Sequence, residues 1–113
     1  MEAVRFAEAP LYTLPDHEQV VARRLQGAEA SNADFAVIGH STFPAGAQVA
    51  MGAGPIPKIY VVIEGELTVD QADGERHRLG AGDSIYIAPD EARAISNEGA
   101  TPATMIVVTP PAR

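Results

Sequence analysis

The sequence predicts an all-β fold of about eight to ten short antiparallel strands, arranged as a sandwich or a barrel. Nine Pro and ten Gly in 113 residues favour frequent turns over long helices. Between these turn residues lie short β-branched and aromatic runs, which are typical of strands. The length suits one domain, residues 1–113, with a single hydrophobic core.

Taken in order, the chain begins with residues 1–18, which two prolines interrupt and which we expect to form an extended arm. Residues 19–26 fit a helix or a strand, and the β-branched pair Val20 and Val21 favours a strand. Apolar runs bounded by Gly, Pro or Asp mark the strands that follow. The predicted strands cover residues 19–26, 35–43, 47–51, 59–63, 67–69, 76–79, 84–88, 93–97 and 104–109.

Composition excludes several classes of function. The net charge of −7 opposes binding to nucleic acid and to anionic membrane surfaces. The chain has no Cys, which removes disulfides, thiolate nucleophiles and zinc sites that use Cys. No apolar run approaches the ~18 residues of a membrane span, and no basic and apolar leader opens the chain. We therefore expect a cytoplasmic domain.

Turn glycines recur at a regular spacing in the first half of residues 43–97. Gly46 is followed after five residues by Gly52, after one more by Gly54, after three by Lys58 and after six by Gly65. This spacing resembles the first motif of the cupin superfamily, G-x5-H-x-H-x3-4-E-x6-G. The two His and the Glu of that motif are replaced here by Gly52, Gly54 and Lys58.

The second half of residues 43–97 resembles the same superfamily. Gly82 is followed at matching distances by Ala88, Asp90, Arg93 and Asn97, which resembles the second cupin motif, G-x5-P-x-G-x2-H-x3-N. The resemblance, to small single-domain cupins with a conserved barrel, implies a jelly-roll barrel, also called a double-stranded β-helix. It also implies that Asn97 is structural, and that Arg93 stands where the last metal ligand would be.

The replaced positions predict a barrel with no metal and no other cofactor. Glycine has no ligating side chain, and the lysine ammonium and arginine guanidinium have no lone pair to give. A site rebuilt from His17, His40 and His77 would need these distant residues to converge, so a metal-dependent dioxygenase ranks last.

The resemblance further implies that Lys58, the only lysine, and Arg93 project into the barrel. Buried unpaired cations are costly, so they need an acidic partner, water or an anionic ligand. We expect Arg93 to hold a carboxylate or phosphate, with Met51 and Val62 lining the substrate site. Lys58 would stabilise an oxyanion or act as a base or Schiff-base amine, with Tyr60 or His40 as the other catalytic groups.

Three interpretations remain open. The first is a metal-free enzyme acting on a small carboxylate or enolate-like molecule in a non-redox isomerase, cyclase or lyase step. The second is a non-catalytic module that binds or senses a small anion. The third is a structural barrel closed by packed side chains. In that case Lys58 lies at the barrel mouth with its ammonium in water, and Arg93 pairs at the surface with Asp90 or Glu91. The apolar residues of the arm need a surface on their own barrel or on a partner, and we expect a homodimer.

Overall fold

The structure, a computed structural model, describes residues 1–111, and this part of the chain folds into eleven β-strands. They are β1 (Leu11–Tyr12), β2 (His17–Glu18), β3 (Val21–Gln26), β4 (Val37–Phe43), β5 (Gln48–Gly52), β6 (Lys58–Glu64), β7 (Leu67–Gln71), β8 (Arg76–Leu79), β9 (Ser84–Ile87), β10 (Arg93–Ser96) and β11 (Ala103–Thr109). A short 3₁₀ turn, Phe6–Glu8, precedes them. The all-β prediction is confirmed, and the two strands beyond the nine predicted segments, β1 and β2, are two-residue pieces of the arm.

The strands form two sheets, as a jelly roll requires. Six strands pair in the order β1-β3-β4-β11-β6-β9, and five pair in the order β2-β5-β10-β7-β8. Neighbouring strands run antiparallel throughout, and the arm contributes β1 to the first sheet and β2 to the second. The arm therefore packs on the barrel of its own chain, and the homodimer stays a prediction.

The core fills the space between the sheets. Its largest fully buried side chains come from both sheets and are Phe43, Leu67, Ile95, Val62 and Val69. Burying apolar surface of this kind is the main favourable contribution to folding.

The central strand β6 is apolar on both faces but is buried on only one. Tyr60 and Val62 face the core, whereas Ile59 and Ile63 remain more than two-fifths exposed. Ile59 lies opposite Tyr86 of β9, which is also exposed. The outer face of this sheet is thus partly apolar. No helix in residues 1–111 combines the length and hydropathy that crossing a bilayer would require.

Asn97 ties the end of β4 to the loop between β10 and β11. Its buried side-chain amide donates to the carbonyls of Phe43 and Thr101, both at 2.8 Å, and its side-chain oxygen accepts from the backbone N–H of Gly99 at 3.0 Å. Buried backbone groups that lack a partner are costly, so this amide satisfies groups that the strand ladders leave free.

We expect Asn97→Ala to lower the free energy of unfolding by about 2–4 kcal/mol, because it removes three hydrogen bonds and leaves buried polar groups unpaired. Urea denaturation followed by circular dichroism measures this change. The matched control is Asn32→Ala at an exposed position, which should cost less than about 0.5 kcal/mol. Equal stabilities of the two variants would contradict the structural role of Asn97.

Candidate functional site

A cavity of about 410 Å³ lies between the two sheets, and the N-terminal arm forms part of its wall. Its volume is in the range of small-molecule sites, about 300–1,000 Å³. The wall is largely apolar and carries a few charged side chains. These are Asp16, Arg24, Lys58, Glu91 and Arg93.

Arg93 is held in this cavity by two uncharged acceptors. At the start of β10 it pairs with Gly52 of β5, and its Nη1 donates to the Gly52 carbonyl at 3.3 Å. Its Nε donates to the Tyr60 hydroxyl at 2.9 Å. Tyr60 belongs to β6 in the other sheet, so this hydrogen bond spans the barrel interior. Two of the five guanidinium N–H groups are used, and three remain for other acceptors.

Gly52 and Gly54 leave space in the cavity wall. A Cβ built on Gly52 would meet only the Ala50 carbonyl oxygen at 3.9 Å, and one built on Gly54 would meet nothing within 4 Å. A steric clash with neighbouring atoms is therefore not the reason for glycine at these two positions. Their effect is to enlarge the cavity on the side of β5.

Lys58 lines the same cavity from the first position of β6. It lies two residues before Tyr60, so the two side chains share one face of the strand. Burial, and secondarily the positive charge of Arg93, lower the pKa of Lys58 from its usual value. In residues 1–111 no salt bridge within 4.0 Å involves Lys58 or Arg93. The cavity therefore holds two positive charges without an acidic partner.

Tyr60 is a neutral hydrogen-bond donor at this position. Burial raises its pKa, and the Arg93 charge and hydrogen bond only partly oppose that increase. The phenol therefore keeps its proton at neutral pH. Because its oxygen accepts from Arg93, its O–H is available to a ligand.

A third cation, Arg24, reaches the cavity beside the arm. The guanidinium of Arg24 stacks over the ring of Tyr12 at 3.7 Å, and Arg24 Nε lies 3.3 Å from a Glu29 carboxylate oxygen without an aligned hydrogen bond. Burial raises the pKa of the Tyr12 hydroxyl, and the positive charge of Arg24 partly opposes that increase. A Cβ on Gly39 would lie 2.8 Å from this hydroxyl, so any larger residue at this position would displace the end of the Tyr12 side chain.

The sequence analysis missed this second group of polar residues. Tyr12 was assigned to an arm whose docking surface was unknown. Arg24 stood in a segment that fitted two kinds of secondary structure. The available signal was the alternation in β3, which places Arg24 on the same face as the buried Ala22.

The two carboxylates of the cavity come from connecting segments. Asp16 lies in the arm with a φ of 61°, just before β2. Glu91 lies between β9 and β10, and its Oε1 accepts from the backbone N–H of Ala88 at 2.7 Å. Neither carboxylate forms a salt bridge with a cation in residues 1–111.

Of the six side chains that the sequence suggested for the site, the structure brings together Lys58, Tyr60 and Arg93. His40 lies elsewhere, because alternation in β4 turns Gly39 and Ser41 inward and His40 outward. Its ring packs edge-on against Phe6 with centroids 4.9 Å apart, and burial lowers its pKa.

Met51 and Val62 also do not line the cavity. A bulge in β5 pairs Arg93 with Gly52 but Ile95 with Val49, so an advance of three residues along β5 matches an advance of two residues along β10. This shift turns Gly52 toward Arg93 and leaves Met51 47% exposed. Val62 is 1% exposed and packs within the core.

Sequence comparison matches the model of the cupin domain family to residues 39–109. A curated protein named Beta-D-galactosidase Rv1717, from Mycobacterium tuberculosis, is 35% identical over 107 residues, which cover 95% of this chain and 91% of that protein.

Structure comparison finds the same architecture in other proteins. The polyketide cyclase RemF from Streptomyces resistomycificus aligns with a TM-score of 0.87 at 19% identity, over 100% of this chain and 81% of its own. A predicted oxalate decarboxylase from Thermotoga maritima aligns with a TM-score of 0.79 at 21% identity, over 98% of this chain and 100% of its own. At these identities the similarity establishes the fold alone.

We expect Lys58→Met to raise the melting temperature by roughly 2–4 °C near pH 7, because it removes a partly buried charge that Arg93 repels. The stability advantage of Lys58→Met over wild type is largest at pH values below the lowered pKa of Lys58. The advantage decreases as the pH rises from that pKa to the ordinary pKa of lysine in the unfolded chain, because folded wild type then loses the charge. Thermal melts across that range measure the effect. Lys58→Arg, which keeps the charge, is the control. A melting temperature of Lys58→Met below that of wild type would contradict the description of Lys58 as an unpaired cation that destabilises the fold.

Proposed function

Because the chain belongs to the cupin domain family, we propose that it binds a small anionic organic molecule, a carboxylate or an enolate, inside its barrel. The observation that carries this proposal is the pair of cations on the cavity wall. Lys58 and Arg93 both line the cavity, and neither has a carboxylate within 4.0 Å in the described residues 1–111. An anionic ligand would supply the missing countercharge.

The hydrogen bonds of Arg93 support a defined binding geometry. Nε is bound to Tyr60 and one N–H of Nη1 to the Gly52 carbonyl. The remaining N–H groups belong to Nη1 and Nη2, and this edge of a guanidinium can hold both oxygens of a carboxylate. The Tyr60 O–H would donate to a further oxygen of the same ligand.

The same residues would support chemistry without a redox step. A cation fixed beside a carbonyl or enolate oxygen stabilises negative charge as it develops, which lowers the barrier to isomerisation, cyclisation or elimination. Lys58 and Arg93 would supply this charge, and Tyr60 would exchange a proton. The alternative is a binding or sensing protein with the same ligand and no turnover, and product formation separates the two.

We further propose that this function needs no metal ion. The positions that match the family's ligands carry Gly52, Gly54, Lys58 and Arg93, and none of these side chains offers a lone pair at neutral pH. Within residues 1–111 no three side chains of His, Cys, Asp or Glu converge as a metal site would require. The donor set of the cavity therefore does not fit the metal that the family pattern implies.

A panel of small carboxylates and their amides tests the anion site. We expect carboxylates such as benzoate and malonate to raise the melting temperature, and benzamide and malonamide to leave it unchanged, since only the acids meet the charge of Arg93. The rise should persist in EDTA and should be lost in Arg93→Gln. Arg78→Gln, at an exposed position of β8, is the matched control. An equal response to acids and amides would refute the proposal.

The relative named Beta-D-galactosidase favours a second candidate function, the hydrolysis of a β-galactoside. Most glycosidases use two carboxyl groups, one as the acid that protonates the leaving oxygen and one as the base or nucleophile. Asp16 and Glu91 are the two carboxylates of the cavity wall. They stand on different segments, which is compatible with approach to a sugar from two sides.

If the cavity hydrolyses galactosides, Asp16→Asn and Glu91→Gln should each lower the rate of nitrophenol release from nitrophenyl β-galactoside by about 100-fold or more. Both changes are conservative, because Asn tolerates the positive φ of Asp16 and Gln can still accept from Ala88 N–H. Glu66→Gln, in the exposed turn before β7, is the control. Hydrolysis that survives both site variants would exclude these carboxylates from the chemistry.

A further inference from the structure

We infer that Lys58 forms an imine with the carbonyl carbon of a 2-oxo acid whose carboxylate is held by Arg93. This inference rests on the anion site proposed above and adds a covalent step to it. The ligand class follows from the chemistry of the cavity wall, which presents a carboxylate-binding edge, a hydroxyl donor and a primary amine together.

The three groups are positioned by rigid elements. Lys58 and Tyr60 project from one face of β6, and Arg93 reaches across from the opposing sheet to bond the Tyr60 hydroxyl at 2.9 Å. A 2-oxo acid carries its carbonyl next to its carboxylate. A carboxylate bound to Arg93 would therefore bring the neighbouring carbonyl toward Tyr60 and the amine.

The surroundings of Lys58 favour an amine that can react. A lysine nucleophile must lose its proton, which a carboxylate partner would oppose and which burial and a second cation promote. In residues 1–111 no carboxylate lies within 4.0 Å of Lys58. Burial and Arg93 both lower its pKa, so a larger share of the side chain is neutral than for an exposed lysine.

The step balances without an oxidant or a further reactant. The nitrogen lone pair attacks the carbonyl carbon, a C–N bond forms, and the carbonyl electron pair moves to oxygen, which accepts a hydrogen bond from Tyr60. The carbinolamine then loses this oxygen with two protons that derive from the amine, giving one imine and one water. The imine withdraws electrons from the adjacent carbon, so a proton or a carbon fragment can leave there without a redox change.

Reductive trapping with pyruvate and sodium cyanoborohydride tests the inference on the full chain. We expect an adduct heavier than the protein by the mass of pyruvic acid less one oxygen atom. Because Lys58 is the only lysine, the adduct maps to one side chain and removes tryptic cleavage after it. The exposed amino group of Met1 is the internal competitor. An α-amino group is in general less basic than a lysine side chain and reacts first with carbonyl compounds, so preferential labelling of Lys58 indicates an activated amine.

Three variants separate the possible causes. Lys58→Arg keeps the charge and should lose the adduct while still responding to carboxylates in a thermal melt. Arg93→Gln should slow labelling by pyruvate at least about tenfold more than labelling by neutral acetaldehyde, the effect of losing about 1.4 kcal/mol of carboxylate binding. The acetaldehyde rate reports the part of the loss that comes from the higher pKa of Lys58 once the Arg93 charge is gone. Arg78→Gln should behave as wild type.

The outcomes distinguish the imine from the anion site. If pyruvate raises the melting temperature of the wild type but labels Met1 in preference to Lys58, the imine is refuted and the anion site stands. If pyruvate neither stabilises nor labels, both proposals fail. If Lys58 is labelled by pyruvate equally in wild type and Arg93→Gln, the assignment of a 2-oxo acid to Arg93 is overturned.

Discussion

A single hydrogen bond, 2.9 Å long, joins Arg93 Nε in the five-stranded sheet to the Tyr60 hydroxyl in the six-stranded sheet. A guanidinium removed from water is costly unless its N–H groups meet acceptors. Tyr60 provides one acceptor and the Gly52 carbonyl a second. Both acceptors are uncharged, so they orient the guanidinium without neutralising it. The positive charge that remains sets the electrostatics of the cavity and acts directly on its neighbours.

Lys58 shows the consequence of this charge. A barrel selected for stability alone would place an apolar or acidic side chain beside Arg93, yet this chain places its only lysine there. Functional sites are where proteins tolerate such local conflicts, because an interaction that is unfavourable in the free protein becomes favourable with a ligand. The open space at Gly52 and Gly54 fits the same interpretation, since filled space would leave no room for the countercharge.

The fold was predictable because its signals are local. Turn glycines and short β-branched runs mark strands wherever they occur, and motif spacing alone pointed to Lys58 and Arg93. Side chains alternate between the two faces of a strand, so one inserted residue moves every following side chain to the opposite face. The bulge in β5 turned Met51 outward, and the register of β4 did the same to His40. Docking of the arm depends on contacts between distant segments, so the place of Tyr12 beside Arg24 could not be derived from sequence.

The cavity contains charges of both signs, and their origins differ. The cations Arg24, Lys58 and Arg93 stand on strands of the two sheets, whereas Asp16 and Glu91 stand on connecting segments. Strands hold side chains rigidly, and connections are the parts of a fold that vary most readily. The proposed anion binding would therefore depend on the rigid wall, and sugar hydrolysis would depend on the segments at its margin. A barrel of this kind can keep its cationic wall while its connections adapt the cavity to different neighbouring groups on an acidic ligand.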